Sequence, residues 1–337
     1  MVQGGQAMLG AITITGTGHA VGSKIIASSH TSEKLGLPLN SLEERTGIVT
    51  RHVCAENETV TTLAVQAVQS CLTDAQLDNG EVGPETVLIY IENGMTHLTP
   101  PAGILLSQAL QIPRVRVLSL DGVCSEPIHA LEIAALMLCN RRCERVIVCA
   151  SADFLSIVDD NDQDTAGLFG SGAGALLVRL AAPGESGAIN GLYWETDSDY
   201  WDLGTITMTN YARNAKGVTV DFTYYQMKGS ELARVAVRSL QEVIGKVLAA
   251  ADWSISDVEH VISHQPNPKV LEIGARKLGL PLDLFTIPGK ILGNMGPASV
   301  LIALSMLRGE GKLSSGKRVL LLSFGLGFSC GCAAVTI

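Results

Sequence analysis

Three side chains in this chain of 337 residues have the type and setting to do covalent chemistry: Cys124, His264 and Asn294. Cys124 sits in Asp121-Gly122-Val123-Cys124-Ser125-Glu126, a polar, turn-like stretch that runs into the apolar-periodic PIHALEIAALMLCN. At a helix start the unpaired backbone N–H groups and the helix dipole favour thiolate over thiol, so this cysteine is expected to be a nucleophile at neutral pH. Cys71 and Cys149 lie inside apolar runs and read as buried structural thiols. His264 stands in Ser263-His264-Gln265-Pro266-Asn267-Pro268, where two prolines stiffen the loop as a positioned donor requires. His19, His30, His52, His97, His129 and His260 lack such a setting. Asn294, in Gly293-Asn294-Met295-Gly296-Pro297, would by itself be a helix cap. Together with Cys124 and His264 it reads as an amide donor in a catalytic set.

The elements that carry these residues repeat. ETVLIYIENG reads as a strand, PAGILLSQALQI as a helix and RVLSL as a strand; after Cys124 come a helix and the strand RVIVCASA. From Val258 the order recurs: strand VEHVISHQPN, helix PKVLEIGARKLGL, strand LFTIPG, the Gly293-Asn294 turn, helix PASVLIALSMLRG and strand RVLLLSFG. Glu92 precedes Cys124 by 32 residues and His264 precedes Asn294 by 30. LFGSGAGALLV and SFGLGFSCGCAAV close the two series. Alternating strands and helices, duplicated over about half the chain, predict an α/β fold built from two similar halves. Strand ends and helix N-termini carry function in such sheets. Halves packed about a pseudo-twofold axis would bring Cys124, His264 and Asn294 to one cleft.

Other motifs are weaker. Gly16-Thr17-Gly18 ends its series at Gly22, out of register for a dinucleotide fingerprint, and Gly170-Ser171-Gly172-Ala173-Gly174 runs into a strand without the GK[ST] of a phosphate loop. Gly325-Leu326-Gly327, a strand followed by a glycine turn, can aim backbone N–H groups at an oxyanion. The acidic run Asp159 to Asp164 lacks the glycine and closing glutamate of a calcium loop and reads as solvated. Cys139/Cys143 and Cys330/Cys332 have neither CxxC spacing nor histidines at ligand spacing, so no metal is expected and the eight cysteines read as free thiols in a reducing cytoplasm. With 24 basic against 33 acidic residues and no basic run, nucleic acid is excluded as a partner. No apolar run approaches the roughly 20 residues that span a bilayer, and the first residues lack a signal-peptide pattern. Met8 reads as a natural start, with Met1–Ala7 an appended leader.

The set Arg45-Thr46-Gly47-Ile48, Cys124, Phe169-Gly170-Ser171-Gly172-Ala173-Gly174, His264-Gln265-Pro266-Asn267, Gly293-Asn294 and Phe324-Gly325-Leu326-Gly327-Phe328 resembles the β-ketoacyl-acyl carrier protein (ACP) synthase III family of the thiolase superfamily. The match runs in order over nearly the whole chain. The resemblance implies a five-layered αβαβα thiolase-like fold, divided at 8–183 and 184–337, and a cytoplasmic homodimer. It implies a catalytic Cys124, His264 and Asn294, an oxyanion hole made by the N–H groups of Cys124 and Leu326, and Arg45, Asn267 and Lys269 on pantetheine and its phosphate. The implied reaction acylates Cys124 from a coenzyme A or ACP thioester, without a cofactor, and then condenses the acyl group with a malonyl thioester that loses CO₂. Neutral His264, through Nε2, and the Asn294 amide would donate to the enolate.

Three departures bear on that reading. The family's adenine-stacking Trp is absent from Asn40-Ser41-Leu42-Glu43-Glu44, a coenzyme A-gripping Arg falls near Ser156, and Met295-Gly296-Pro297 alters the expected wall of the acyl pocket. These favour an acyl carrier protein over free coenzyme A and a specialised, polyketide-type role over a fatty-acid starter role. The alternatives are an acyltransferase that passes the acyl group to an alcohol or amine, and a non-catalytic partner subunit, which the presence of Cys124 disfavours. A docking face for the acidic carrier is expected on the helix after His264, at Lys269, Arg276 and Lys277.

Overall fold

The computed structural model describes residues 12–337 apart from Met95, Thr96, Pro113, Gly122, Pro183, Gly184, Ser186 and Gly187. The expected leader, the start at Met8, Gly122 of the turn before Cys124 and the division between 183 and 184 therefore lie outside the described residues.

Numbering only the main elements, the first half runs β1 (Ile12–Val21), α1 (Val60–Asp74), β2 (Thr86–Asn93), α2 (Ala102–Ala109), β3 (Arg116–Leu120), α3 (Glu126–Cys139), β4 (Arg145–Ala152) and β5 (Gly172–Leu180). The second runs β6 (Ala188–Thr196), α4 (Gly229–Ala251), β7 (His260–Ser263), α5 (Pro268–Leu278), β8 (Phe285–Thr286), α6 (Ala298–Gly309), β9 (Arg318–Gly325) and β10 (Ser329–Thr336). The sheets have the orders β1-β5-β4-β2-β3 and β6-β10-β9-β7-β8, the same order in each half. Pairing directions match too. The two pairs nearest β1 and β6 are antiparallel, and the two beyond them are parallel.

β4 and β9 are apolar without alternation because they are covered on both faces. α3 and α6 lie between the sheets and touch strands of both, and their side chains join one core cluster with Ile89, Val148, Leu176 and Leu321. α1 and α2 cover the outer face of the first sheet; α4 and α5 cover that of the second. The result is five layers, αβαβα. α4 shows the amphipathy of an outer helix: Leu232, Val235, Ala236, Leu240, Val243, Ile244 and Val247 are buried at steps of one to four, on one face.

The glycine-rich segments serve this layering. A Cβ on Gly174 would lie 2.6 Å from Leu301 Cβ in α6, and one on Gly18 would lie 2.2 Å from the Ala67 carbonyl oxygen in α1. Both segments let a helix approach a strand closely, which accounts for their composition without a phosphate. The acidic loop is pinned to its surroundings: Asp160 pairs with Lys34 at 2.6 Å, and Asp162 accepts a hydrogen bond from the Thr165 hydroxyl. No helix among the described residues is long and apolar enough to cross a membrane.

Candidate active site

Cys124 lies in the turn between β3 and α3, with Ser125 as N-cap and Glu126 as the first helical residue. Asn294 occupies the equivalent turn before α6. His264 directly follows β7 and donates its backbone N–H to the Leu322 carbonyl at 2.7 Å. All three line one cavity of about 610 Å³. Backbone hydrogen bonds fix Asn294 to the first half: its N–H donates to Leu168 at 2.8 Å, and its carbonyl accepts from Gly170 N–H at 2.9 Å. Cys124 is fixed to the second half in turn, because the Ser323 hydroxyl donates to its carbonyl. Each half therefore holds the other's reactive residue.

The Asn294 side chain has a defined orientation. Its Oδ1 accepts from Gly296 N–H at 2.9 Å, which leaves the amide Nδ2 as a donor toward the cavity. The Gly296 carbonyl faces His264 Nδ1 at 3.1 Å. A carbonyl oxygen only accepts, so Nδ1 carries the proton of the neutral imidazole and Nε2 is a lone pair. Burial lowers the pKa of His264 to about 3, its hydrogen bond to Gly296 opposing, so the ring is neutral. The edge of the ring packs on Phe324, centroids 5.2 Å apart. The expectation that neutral His264 donates through Nε2 is corrected: the neutral ring accepts there.

The expected thiolate is corrected as well. Burial at the cavity floor pushes the Cys124 thiol up to about 12, with its own backbone N–H pulling the other way. The resting pair is thiol and imidazole.

Leu326 lines the cavity with Cys124, and the intervening contact is close: a Cβ on Gly325 would lie 2.9 Å from Cys124 N. Gly296, which sequence reasoning assigned to the pocket wall with Met295, is the clamp for His264 and Asn294. Met295 is 1% exposed and belongs to the core, in contact with Gly172, rather than to the pocket. The wall is instead aromatic: Phe154, Phe169 and Tyr225 pack together, with centroids 4.7 to 6.3 Å apart.

A second cavity, of about 280 Å³, shares Met227, Leu232, Pro266, Asn294 and Phe324 with the first and is lined also by Arg45 and Asn267. Arg45 donates to the Gln163 carbonyl and lies 3.7 Å from Asp164. Asn267 caps α5, its Oδ1 accepting from Val270 N–H at 2.9 Å. Lys269 is among the lining residues of neither cavity; it pairs with Glu272 at 3.2 Å on the surface of α5. Arg276 and Lys277 are exposed in the last turn of that helix. Among the described residues no group of three or more His, Cys, Asp or Glu is placed to hold a metal ion.

A cysteine at the junction of two duplicated halves, with a buried histidine and an oriented asparagine amide, defines a thiolase-fold acyltransferase. Residues 118–198 match the family 3-oxoacyl-[acyl-carrier-protein (ACP)] synthase III, and residues 248–337 match its C-terminal counterpart. The chain is 30% identical over 326 residues to β-ketoacyl-[acyl-carrier-protein] synthase III of Paramagnetospirillum magneticum, covering 96% of this chain and 98% of the relative. It is 29% identical over 331 residues to β-ketoacyl-[acyl-carrier-protein] synthase III 3 of Streptomyces coelicolor, covering 98% of each. The crystal structure of 3-oxoacyl-[acyl-carrier-protein] synthase III from Aquifex aeolicus superposes with a TM-score of 0.86 at 28% identity, over 97% of this chain and 100% of that one. The chain belongs to the β-ketoacyl-ACP synthase III family.

Proposed function

We propose that this protein is a decarboxylating condensing enzyme in which Cys124 carries the acyl group, drawn from an acyl-ACP or acyl-coenzyme A thioester, in fatty-acid or specialised polyketide-type metabolism. The observation that carries this reading is the meeting of Cys124, His264 and Asn294 in one cavity, with the Asn294 amide turned inward by Gly296.

In the first half-reaction neutral His264 takes the Cys124 S–H proton on Nε2. The sulfur attacks the thioester carbonyl, and the tetrahedral oxyanion is held by the N–H groups of Cys124 and Leu326. The thioester C–S bond breaks, and the imidazolium returns its proton to the departing thiolate. In the second half-reaction a malonyl thioester loses CO₂, and the charge moves to its thioester oxygen. Asn294 Nδ2 donates to that enolate. An aspartate there would repel it, which is the physical reason for an amide. The carbanion attacks the acyl-Cys124 carbonyl, releasing a β-ketoacyl thioester and the Cys124 thiolate, which regains a proton from water.

The two joined cavities support a pantetheine path from Arg45 and Asn267 at the mouth to Cys124 at the floor. The active form is proposed to be a cytoplasmic homodimer, on the strength of the family likeness. Intact-mass spectrometry with acyl thioesters, together with CO₂ release from malonyl thioester, tests the reaction. An acyl adduct on Cys124 and its loss in Cys124→Ala are expected; an adduct on any other residue overturns the assignment.

A further inference from the structure

The cavity wall beside the nucleophile carries polar groups that a purely aliphatic acyl chain would not use. Glu126, two residues past Cys124, lines the cavity. His129 Nδ1 donates to its Oε1 at 3.1 Å, and the two side chains are only 17% and 13% exposed, so the carboxylate is held in place rather than free to swing into solvent. Ser125 also lines the cavity, is 1% exposed, and has a buried Oγ with no hydrogen-bond partner among the described residues. A buried hydroxyl without a partner is a costly feature that a bound ligand would relieve. Asp121 adds a further carboxylate to the lining, as does Glu92, which accepts from the Tyr90 hydroxyl at 3.4 Å; the described lining residues include neither lysine nor arginine. In a partly desolvated pocket a carboxylate so placed attracts a cation.

We propose that the acyl group received by Cys124 bears a protonated amine a few carbons from its thioester carbonyl, with the ammonium held by the Glu126 carboxylate and the Ser125 hydroxyl. The natural donor is then an aminoacyl thioester. The inference rests on the acylation of Cys124 proposed above and names the class of acyl group.

The test offers the whole protein equal concentrations of the N-acetylcysteamine thioesters of β-alanine and butyric acid, which match in length and shape and differ by NH₃⁺ for CH₃. Adducts on Cys124 are counted by mass. At least tenfold preference for β-alanyl is expected, falling about tenfold in Glu126→Gln and about threefold in Ser125→Ala. Glu310→Gln, which removes only the charge of a surface pair with Lys312, should leave the ratio unchanged. The wild-type preference is informative even where a variant fails to fold. Preference for butyryl, or a ratio indifferent to Glu126→Gln in a folded variant, overturns the proposal. Equal capture of the 3-hydroxypropionyl thioester overturns the cationic assignment, since a neutral donor would then suffice. Absence of any adduct on Cys124 with all three thioesters instead removes the acyl-enzyme reading itself, whereas butyryl capture with no amine preference removes only the subsite.

Discussion

His264 and Asn294 are tied to the two backbone groups of one residue, Gly296: Nδ1 of the histidine to its carbonyl at 3.1 Å, and Oδ1 of the asparagine to its N–H at 2.9 Å. Gly296 has φ +51°, and a Cβ there would lie 2.8 Å from Phe154 Cε2. Gly296→Ala therefore adds left-handed strain of roughly 1–2 kcal/mol to overpacking of about 1–3 kcal/mol. Gly311, at φ +68° with nothing within 4 Å of an added methyl, isolates the strain. The expected result is a lower Tm for Gly296→Ala than for Gly311→Ala, with both half-reactions slowed by about tenfold or more because both side chains shift. A Gly296→Ala enzyme with wild-type rates would show that the shared residue does not position the pair.

A resting thiol and a neutral imidazole have opposite pH signatures. With the Cys124 thiol held up to about 12, its alkylation by iodoacetamide should rise about tenfold per pH unit between pH 7 and 10, tracking the thiolate fraction. A plateau starting near pH 7 would instead mark a preformed thiolate. For His264 the folded pKa of about 3 lies below the unfolded 6.5, so the native state binds fewer protons between those values. Its contribution to stability is full above pH 6.5 and is lost as pH falls toward 3, at about 1.4 kcal/mol per pH unit. Denaturant titrations at pH 7 and pH 5.5 should show a smaller drop for His264→Asn than for the wild type; equal drops would contradict the buried neutral ring.

The equivalence of Cys124 and Asn294 was legible because it rests on local pattern: an apolar strand, a polar turn and an apolar helix, repeated at nearly equal spacing. The pattern gave an α/β fold in two similar halves, and the five layers came from the family resemblance; the structure shows their physical basis in β4 and β9, covered on both faces, and in α4, buried on one. What stayed hidden depends on contacts between distant residues. The protonated nitrogen of His264 is chosen by a carbonyl 32 positions away, and the thiol pKa by walls that include Phe154, Tyr225 and Phe324. The paired strands Met208–Asn214 and Gly217–Phe222 are exposed throughout, so no buried face marks them, although alternation around Asn214-Ala215-Lys216-Gly217 was there to read. The predicted strand LFTIPG shrinks to Phe285–Thr286 because Pro288 and the short helix at Gly289–Leu292 cut it off.

On the proposed mechanism Asn294 offers its amide to the second half-reaction only. Asn294→Ala should leave acylation of Cys124 close to wild type while condensation falls roughly 10²-fold or more, the scale for one lost oxyanion donor. Asn294→Asp, which keeps the acceptor for Gly296 N–H but places negative charge at the enolate, should be no better than alanine. Separate measurement of adduct formation and of CO₂ release decides this; equal losses in both would end the division of labour.

Of the expected pantetheine contacts Arg45, Asn267 and Lys269, we propose that Arg45 rather than Lys269 meets the phosphate. Lys269 is paired with Glu272, lies outside both cavities, and belongs to a surface ion pair of the kind worth about 0–1 kcal/mol. Arg45 lines the mouth beside Asn267, where a phosphate at the head of a pantetheine arm would have to pass. Its present partners are the Gln163 carbonyl and, at 3.7 Å, the well-exposed Asp164, and neither holds it as firmly as a bidentate phosphate anion would. Arg45→Ala should therefore raise KM for a phosphopantetheine-linked acyl donor about tenfold, with a smaller effect as salt rises. The N-acetylcysteamine thioester of the same acyl group, which has no phosphate, should be affected little, and kcat should change little for either donor. Lys269→Ala is expected to change neither KM. If Arg45→Ala raises KM equally for both donors, the residue supports the loop at Asp164 rather than a phosphate. If Lys269→Ala alone discriminates between them, the mouth lies on α5 as the charge pattern of that helix first indicated.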